Sequence, residues 1–281
     1  MTGVIDVQRW IDDLGSRLPV HADLLRRLLA AVESDSRWEW MELGCSVAAG
    51  RGDELSDLDL ALAYGTGGPP PMDDVTRVLR DLGDVVDLAV QPWEDHHRWW
   101  VQYRDGGQID LLVVPATIRS GRAPRSVVLL DRQSRLQETF VPRVWRALPG
   151  EPRQWLLDGW EALSNVVKYL HRGSLLECIE QLHRARTRVL QLWAVGEGVD
   201  YPRFGLASLL DDPKAALPEG IESTYPPAES AAVTAAADAL ARLLGDAGHH
   251  AETGLDSPLR SFVTGRIRAY VDDVELSTRR G

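Results

Sequence analysis

Two aspartates, Asp57 and Asp59, stand two residues apart at the start of the apolar run Leu58 to Tyr64. In an extended chain, residues i and i+2 project from the same face. Both carboxylates then converge on one side while Leu58 and Leu60 pack on the other. Two acids crowded onto an apolar strand repel each other and lose hydration, costs that a bound divalent cation removes, and magnesium is the economical ion for an all-oxygen donor set. Upstream, Ser46 begins a glycine-punctuated turn after the strand ending at Leu43. Such a turn presents backbone N–H groups and a hydroxyl to an anion, and phosphate fits that slot. A third acid, Asp110, interrupts the run Ile109 to Val114, which reads as a strand covered on both faces. An ionised carboxylate there needs a partner. If its strand lies beside that of Asp57, the three acids form one cluster able to hold two ions and to take a proton from an attacking hydroxyl. Asp87 competes for the third place, because it too sits in an apolar strand.

The elements that must position these residues are legible in the spacing of apolar side chains. Ile5 to Leu18 and Ala22 to Val32 carry helical periodicity, with Leu24, Leu25, Leu28 and Leu29 in one stripe. From Trp38 the pattern changes to short apolar runs bounded by Gly, Pro and Asp. Strands are expected at Trp38 to Leu43, Leu58 to Tyr64, Val85 to Val90, Trp99 to Tyr103, Ile109 to Val114 and Val127 to Leu130. A helix over Asp73 to Leu82 follows the breaker Gly67 to Pro71. After Pro142 the strand signal stops, and Pro149-Gly150-Glu151-Pro152 marks a boundary ahead of four helices, at Gln154 to His171, Leu175 to Val195, Glu229 to Leu244 and Pro258 to Val274. Tyr201 to Pro227 reads as a loop with one short helix around Ala207. The expected architecture is α+β: a mixed sheet flanked by helices in residues 1–148, and an all-α helical bundle in residues 149–281.

The stretch from Ser46 to Leu60 resembles the signature of the nucleotidyltransferase superfamily typified by DNA polymerase beta: Gly-Ser, about ten residues, Asp-x-Asp, and a third acid on a later strand. Ser46, Gly50, Ser56, Asp57, Asp59 and Leu60 match. Cys45 departs from it, standing where the signature has glycine, with Gly44 one place early. That bears on how closely a phosphate approaches this backbone. Three further stretches, Arg104 to Pro115, Val127 to Asp131 and Trp160 to Leu170, are similar to the aminoglycoside 6-adenylyltransferase (streptomycin adenylyltransferase) family in order and spacing. The likeness implies an N-terminal nucleotidyltransferase domain and a C-terminal helical domain that binds the acceptor. It also implies magnesium, two ions, and ATP as co-substrate, with AMP passing to an aminoglycoside hydroxyl and pyrophosphate released. Asp57, Asp59 and Asp110 would then be the metal-binding and catalytic acids, with Ser46 and Lys168 the nucleotide-binding residues. The same chemistry on a lincosamide, a nucleotide or a protein hydroxyl is the alternative, as is a non-catalytic nucleotide-binding module.

Composition sets the outer bounds. The 281 residues exceed the roughly 150 of one domain, and 44% apolar with 26% charged residues matches a soluble globular chain. Two cysteines, Cys45 and Cys178, are too few for a disulfide scaffold, and no secretory leader opens the sequence, so a cytoplasmic protein is expected. No apolar run is long enough for a membrane span. With a net charge of −11 a duplex-binding surface is not expected; the acidity suits a cationic small-molecule acceptor, against the plain reading that it serves solubility. Of 31 basic residues only Lys168 and Lys214 are lysines. This singles out Lys168 as a compact ammonium placed for a phosphate, against the plain reading of a solvated helix lysine. Asp158 and Glu161 are candidates for a second general base or for amine binding, against a solvated helix face. Adjacent His96 and His97, after Glu94 and Asp95, would point to opposite sides of an extended chain, which does not suit zinc. Trp99 and Trp100 read as packing residues, with stacking on an adenine as the rival.

Overall fold

The computed structural model describes residues 6–93, 96–140, 146–253 and 258–278, with side chains through residue 270 in the last stretch. Ile5, Glu94 and Asp95 of the sequence reading lie outside these residues. The chain divides into two compact units, Met1–Val141 and Pro142–Gly281.

The first unit is a six-stranded mixed sheet with helices on one face. The helices are α1 (Val7–Gly15), α2 (Pro19–Ser34), the single turn α3 (Cys45–Ala48) and α4 (Met72–Asp81); the strands are β1 (Trp38–Leu43), β2 (Leu58–Tyr64), β3 (Val85–Pro92), β4 (His97–Tyr103), β5 (Gln108–Pro115) and β6 (Val127–Asp131). Their order across the sheet is β3-β4-β5-β2-β1-β6. Every neighbouring pair is antiparallel except β2 and β5 at the centre, which run parallel and are joined through α4, β3 and β4. Alternation sorts the side chains. Leu58, Leu60 and Leu62 of β2 and Ile109, Leu111 and Val113 of β5 enter the core under α1, α2 and α4, where Ile11, Leu14, Leu24, Leu25, Leu28, Leu29 and Leu79 meet them. The intervening residues, Asp59, Ala61 and Ala63 on β2 and Asp110, Leu112 and Val114 on β5, occupy the other face. There a smaller apolar cluster of Trp40, Ala63, Val114, Ala116 and Leu136 covers the far end of these strands. Glu42 on β1 is a buried acid on this face. It accepts hydrogen bonds from Arg119, from the Ser126 hydroxyl and from the Ala123 backbone, so the segment after β5 is fastened over the sheet with the charge fully partnered.

The second unit is helical in its described residues: α5 (Glu151–His171), α6 (Leu175–Gly196), the short α7 (Leu206–Asp211), α8 (Ser230–His250) and α9 (Pro258–Thr278). Gly150, in the left-handed region, and Pro152 in the first turn start α5. Gly173, also left-handed, ends it. The Ser174 hydroxyl bonds to Glu177 at the start of α6. Trp160, Leu163, Val166, Leu182, Val189, Leu240 and Leu244 lie in a core separate from that of the first unit. No helix among the described residues is long and apolar enough to cross a membrane.

Candidate active site

The parallel pairing at the centre of the sheet sets Asp59 directly opposite Asp110. Since both belong to the face turned away from the α1–α2 core, their side chains emerge together. Asp57, just before β2, joins them. One carboxylate oxygen from each of Asp57, Asp59 and Asp110 lies within 4.8 Å of the other two. The cluster sits at the N-terminal ends of β2 and β5, where α3 and the loop between α3 and β2 begin and end.

That loop is held at several points. His21 of α2 is 2% exposed, and its Nε2–H donates to the Ser56 carbonyl at 2.6 Å, so the residue preceding Asp57 is tied to the helix layer. Asp53 closes a turn on the Leu55 amide at 3.0 Å, and the Ser56 hydroxyl accepts from the Asp53 amide at 3.0 Å. Gln108, two residues before Asp110, reaches Asp57 at 3.4 Å through its side-chain amide.

The electrostatics follow from this crowding. Burial first, and the Asp57 charge second, push the Asp59 carboxyl from 3.8 up to about 6, while a hydrogen bond from the Cys45 thiol works against the shift and the Asp110 charge adds to it. Asp110 has a partner of its own. The Arg98 guanidinium on β4 grips both its oxygens, Nε to Oδ1 at 2.7 Å and Nη2 to Oδ2 at 2.5 Å. The Asp110 hydrogen bond, with the charges of Asp110, Asp57 and Asp59, holds Arg98 above its ordinary basicity.

The chain is similar to an aminoglycoside 6-adenyltransferase from Bacillus subtilis, of known crystal structure, at 15% identity and a TM-score of 0.40, over 89% of this chain and 96% of that one. No family model matches the chain, and no curated protein does.

The other sequence candidates are distributed as follows. Ser46 lies in α3, immediately after β1, and its carbonyl accepts from the Arg51 amide at 2.9 Å. The turn is tighter than a loop and has its left-handed residue at Cys45, with φ of 54°, while Gly44 is extended. A non-glycine residue therefore occupies the conformation glycine adopts most readily, at the position where the signature has glycine. Asp87 sits on the edge strand β3, exposed, two strands from Asp110, its Oδ1 accepting from the Leu88 amide. It is not brought to the cluster. Lys168 of α5 is partly buried; its ammonium donates to Asn165 Oδ1 at 2.8 Å and lies over the Tyr169 ring at 4.4 Å. Asp158 is engaged by Arg188 at 3.0 Å and by Gln154 at 2.7 Å, whereas Glu161 is exposed. Trp99 is a core residue whose indole N–H donates to Thr76, and Trp100 alternates to the face of the acids, opposite Asp110.

Arg98 and His21 are among the residues of the site that escape sequence reasoning. Asp110 in an apolar strand calls for a partner, but an arginine twelve residues upstream becomes that partner only through the antiparallel register of β4 on β5. His21 reads as one polar residue in a leucine-rich helix, and nothing in its spacing announces Ser56.

Proposed function

We propose that this protein is a nucleotidyltransferase that moves AMP from ATP to a hydroxyl of a small cationic acceptor, an aminoglycoside, releasing pyrophosphate. The observation that carries the reading is the convergence of Asp57, Asp59 and Asp110, all half-buried, at the adjoining ends of two parallel strands on one face of the sheet. The donor set fits a hard divalent cation. It consists of carboxylate oxygens, and the Asp59 carboxyl is raised by burial first and by the Asp57 charge second, both costs that a bound cation would offset. A magnesium ion bound there would supply charge neutralisation for the triphosphate and polarise its α-phosphoryl group.

The chain's own residues do the rest. Asp57 and Asp59 would hold the ion. Asp110 accepts the proton as the acceptor hydroxyl forms its bond to the α-phosphorus, while the bond to the β-phosphate oxygen breaks and pyrophosphate departs with the electron pair. Ser46 and the α3 turn would receive a phosphate oxygen, and Lys168 is the candidate point charge for nucleotide binding. Residues 1–148 act as the nucleotidyltransferase domain and residues 149–281 as the acceptor-binding domain. The −11 net charge draws a polycationic acceptor toward the protein.

The test is incubation with magnesium, ATP and a panel of aminoglycosides, read by mass spectrometry for an acceptor carrying an added AMP. Asp57→Asn and Asp59→Asn should each lower transfer by at least about a thousandfold with unchanged circular dichroism. Turnover at the wild-type rate in either variant refutes the site, and the absence of an adduct on every aminoglycoside refutes the acceptor.

A further inference from the structure

Arg98 bears on how many cations the cluster takes. Two ions shared among three carboxylates would set a second positive charge on Asp110, yet a guanidinium already stands there, donating to both carboxylate oxygens and leaving each a further lone pair. The pairing is fork to fork, and half-buried: the side chains of Arg98 and Asp110 are 35% and 19% exposed. A further contact anchors the arginine from behind, Nη1 to Gln91 Oε1 at 3.3 Å across the β3–β4 pair. Three carboxylates less one guanidinium leave the charge of one divalent cation uncompensated.

We propose that Arg98 is a positioning residue that stands on Asp110 in place of a second cation, so that the protein alone binds a single divalent ion, on Asp57 and Asp59, with Asp110 kept aimed beside it. This rests on the reading of the cluster as a cation site. Arg98 restrains cation affinity, because it brings a positive charge to the third carboxylate. In exchange it fixes the orientation of Asp110, which a carboxylate surrounded by two others would not keep by itself.

The consequence has an unusual sign. Removing Arg98 should strengthen cation binding, whereas damage to the site weakens it. A unit charge acts on a divalent ion twice as strongly as on a monovalent one, enough at close range, even at the dielectric constant of water, to change affinity about tenfold. The experiment is titration of the nucleotide-free, full-length protein with Mn2+ at pH 8 and low salt, free Mn2+ being read by electron paramagnetic resonance. Wild type should bind one ion, and Arg98→Gln should bind Mn2+ about tenfold more tightly. Arg98→Lys, which keeps the charge and loses the fork, should stay within about threefold of wild type. Unchanged or weaker binding in Arg98→Gln overturns the proposal, as does a wild-type stoichiometry of two. If Arg98→Gln fails to fold, a change beyond tenfold in Arg98→Lys overturns it. Asp57→Asn separates the two readings: loss of Mn2+ binding in that variant upholds the cation site whatever Arg98 does, and retained binding removes the site itself.

Discussion

Asp59 is the residue where charge and burial compete most directly. Its carboxyl titrates near 3.8 in an unfolded chain and at about 6 in the fold, so the folded protein holds the proton more tightly. Cation-free stability is therefore greatest at low pH with respect to this group, falls as pH rises from about 4 to about 6, and stays reduced above that. A shift of this size corresponds to on the order of 2–3 kcal/mol. Asp59→Asn should consequently raise the melting temperature of the cation-free protein by about 5 °C at pH 7.5, and by much less at pH 4.5. Magnesium should raise the wild-type melting temperature at pH 7.5 and leave that of Asp59→Asn where it is. Melts in chelator and in magnesium at the two pH values check this, and coincident wild-type and variant curves at pH 7.5 would contradict it. The acids themselves were legible in the sequence because i and i+2 on a strand share a face whatever surrounds them. Arg98 was not, since its partner is chosen by the register of a neighbouring strand.

Between elements, the closest constraint on the site is the approach of α2 to the β4–β5 turn. A Cβ at Gly107 would fall 2.4 Å from Leu24 Cδ1 and 3.0 Å from Val20 Cγ1, both on α2, and Leu24 is itself buried. Gly107 is thus needed for proximity. Its carbonyl accepts from the Tyr103 amide at 2.8 Å, closing the turn that leads into Gln108 and Asp110. Gly107→Ala should cost about 1–3 kcal/mol, as overpacking does, measured as a lowered urea midpoint at constant m-value. An unchanged midpoint would mean that α2 yields without cost. The helix stripe of α2 and the alternation of β2 were readable from periodicity, and the boundaries of α2, β2 and β5 to within a few residues; β5 reads in the sequence as covered on both faces, whereas Gln108, Asp110 and Leu112 are only half-buried. The left-handed Cys45 was not, because the geometry of α3 is imposed by the strands on either side of it and overrides the residue's own preference.

At the scale of the molecule, each unit owns its core. The sheet unit buries Leu25, Met41, Leu58, Trp99 and Leu111, and the helical unit buries Trp160, Val166, Cys178, Leu192 and Leu240, with no residue shared. Units with separate cores fold separately. Residues 142–281 expressed alone should give a helical circular dichroism spectrum and a cooperative melt; a non-cooperative melt would show that the helices depend on the sheet unit. Burial in this second core also pushes the Cys178 thiol up to about 11, as expected of an inert packing residue.

By itself the amino-acid sequence determined the α+β class, the change from strands to helices near Pro142, and the pairing of Asp57 with Asp59, because each depends on spacing within a few residues of chain. Tertiary structure alone decided that β5, and not β3, lies beside β2, that Asp110 therefore joins the pair while Asp87 remains at the sheet edge, and that Arg98 and His21 serve them. Strand order and register are set by how the whole sheet packs beneath α1, α2 and α4, a balance summed over many side chains that no local pattern contains.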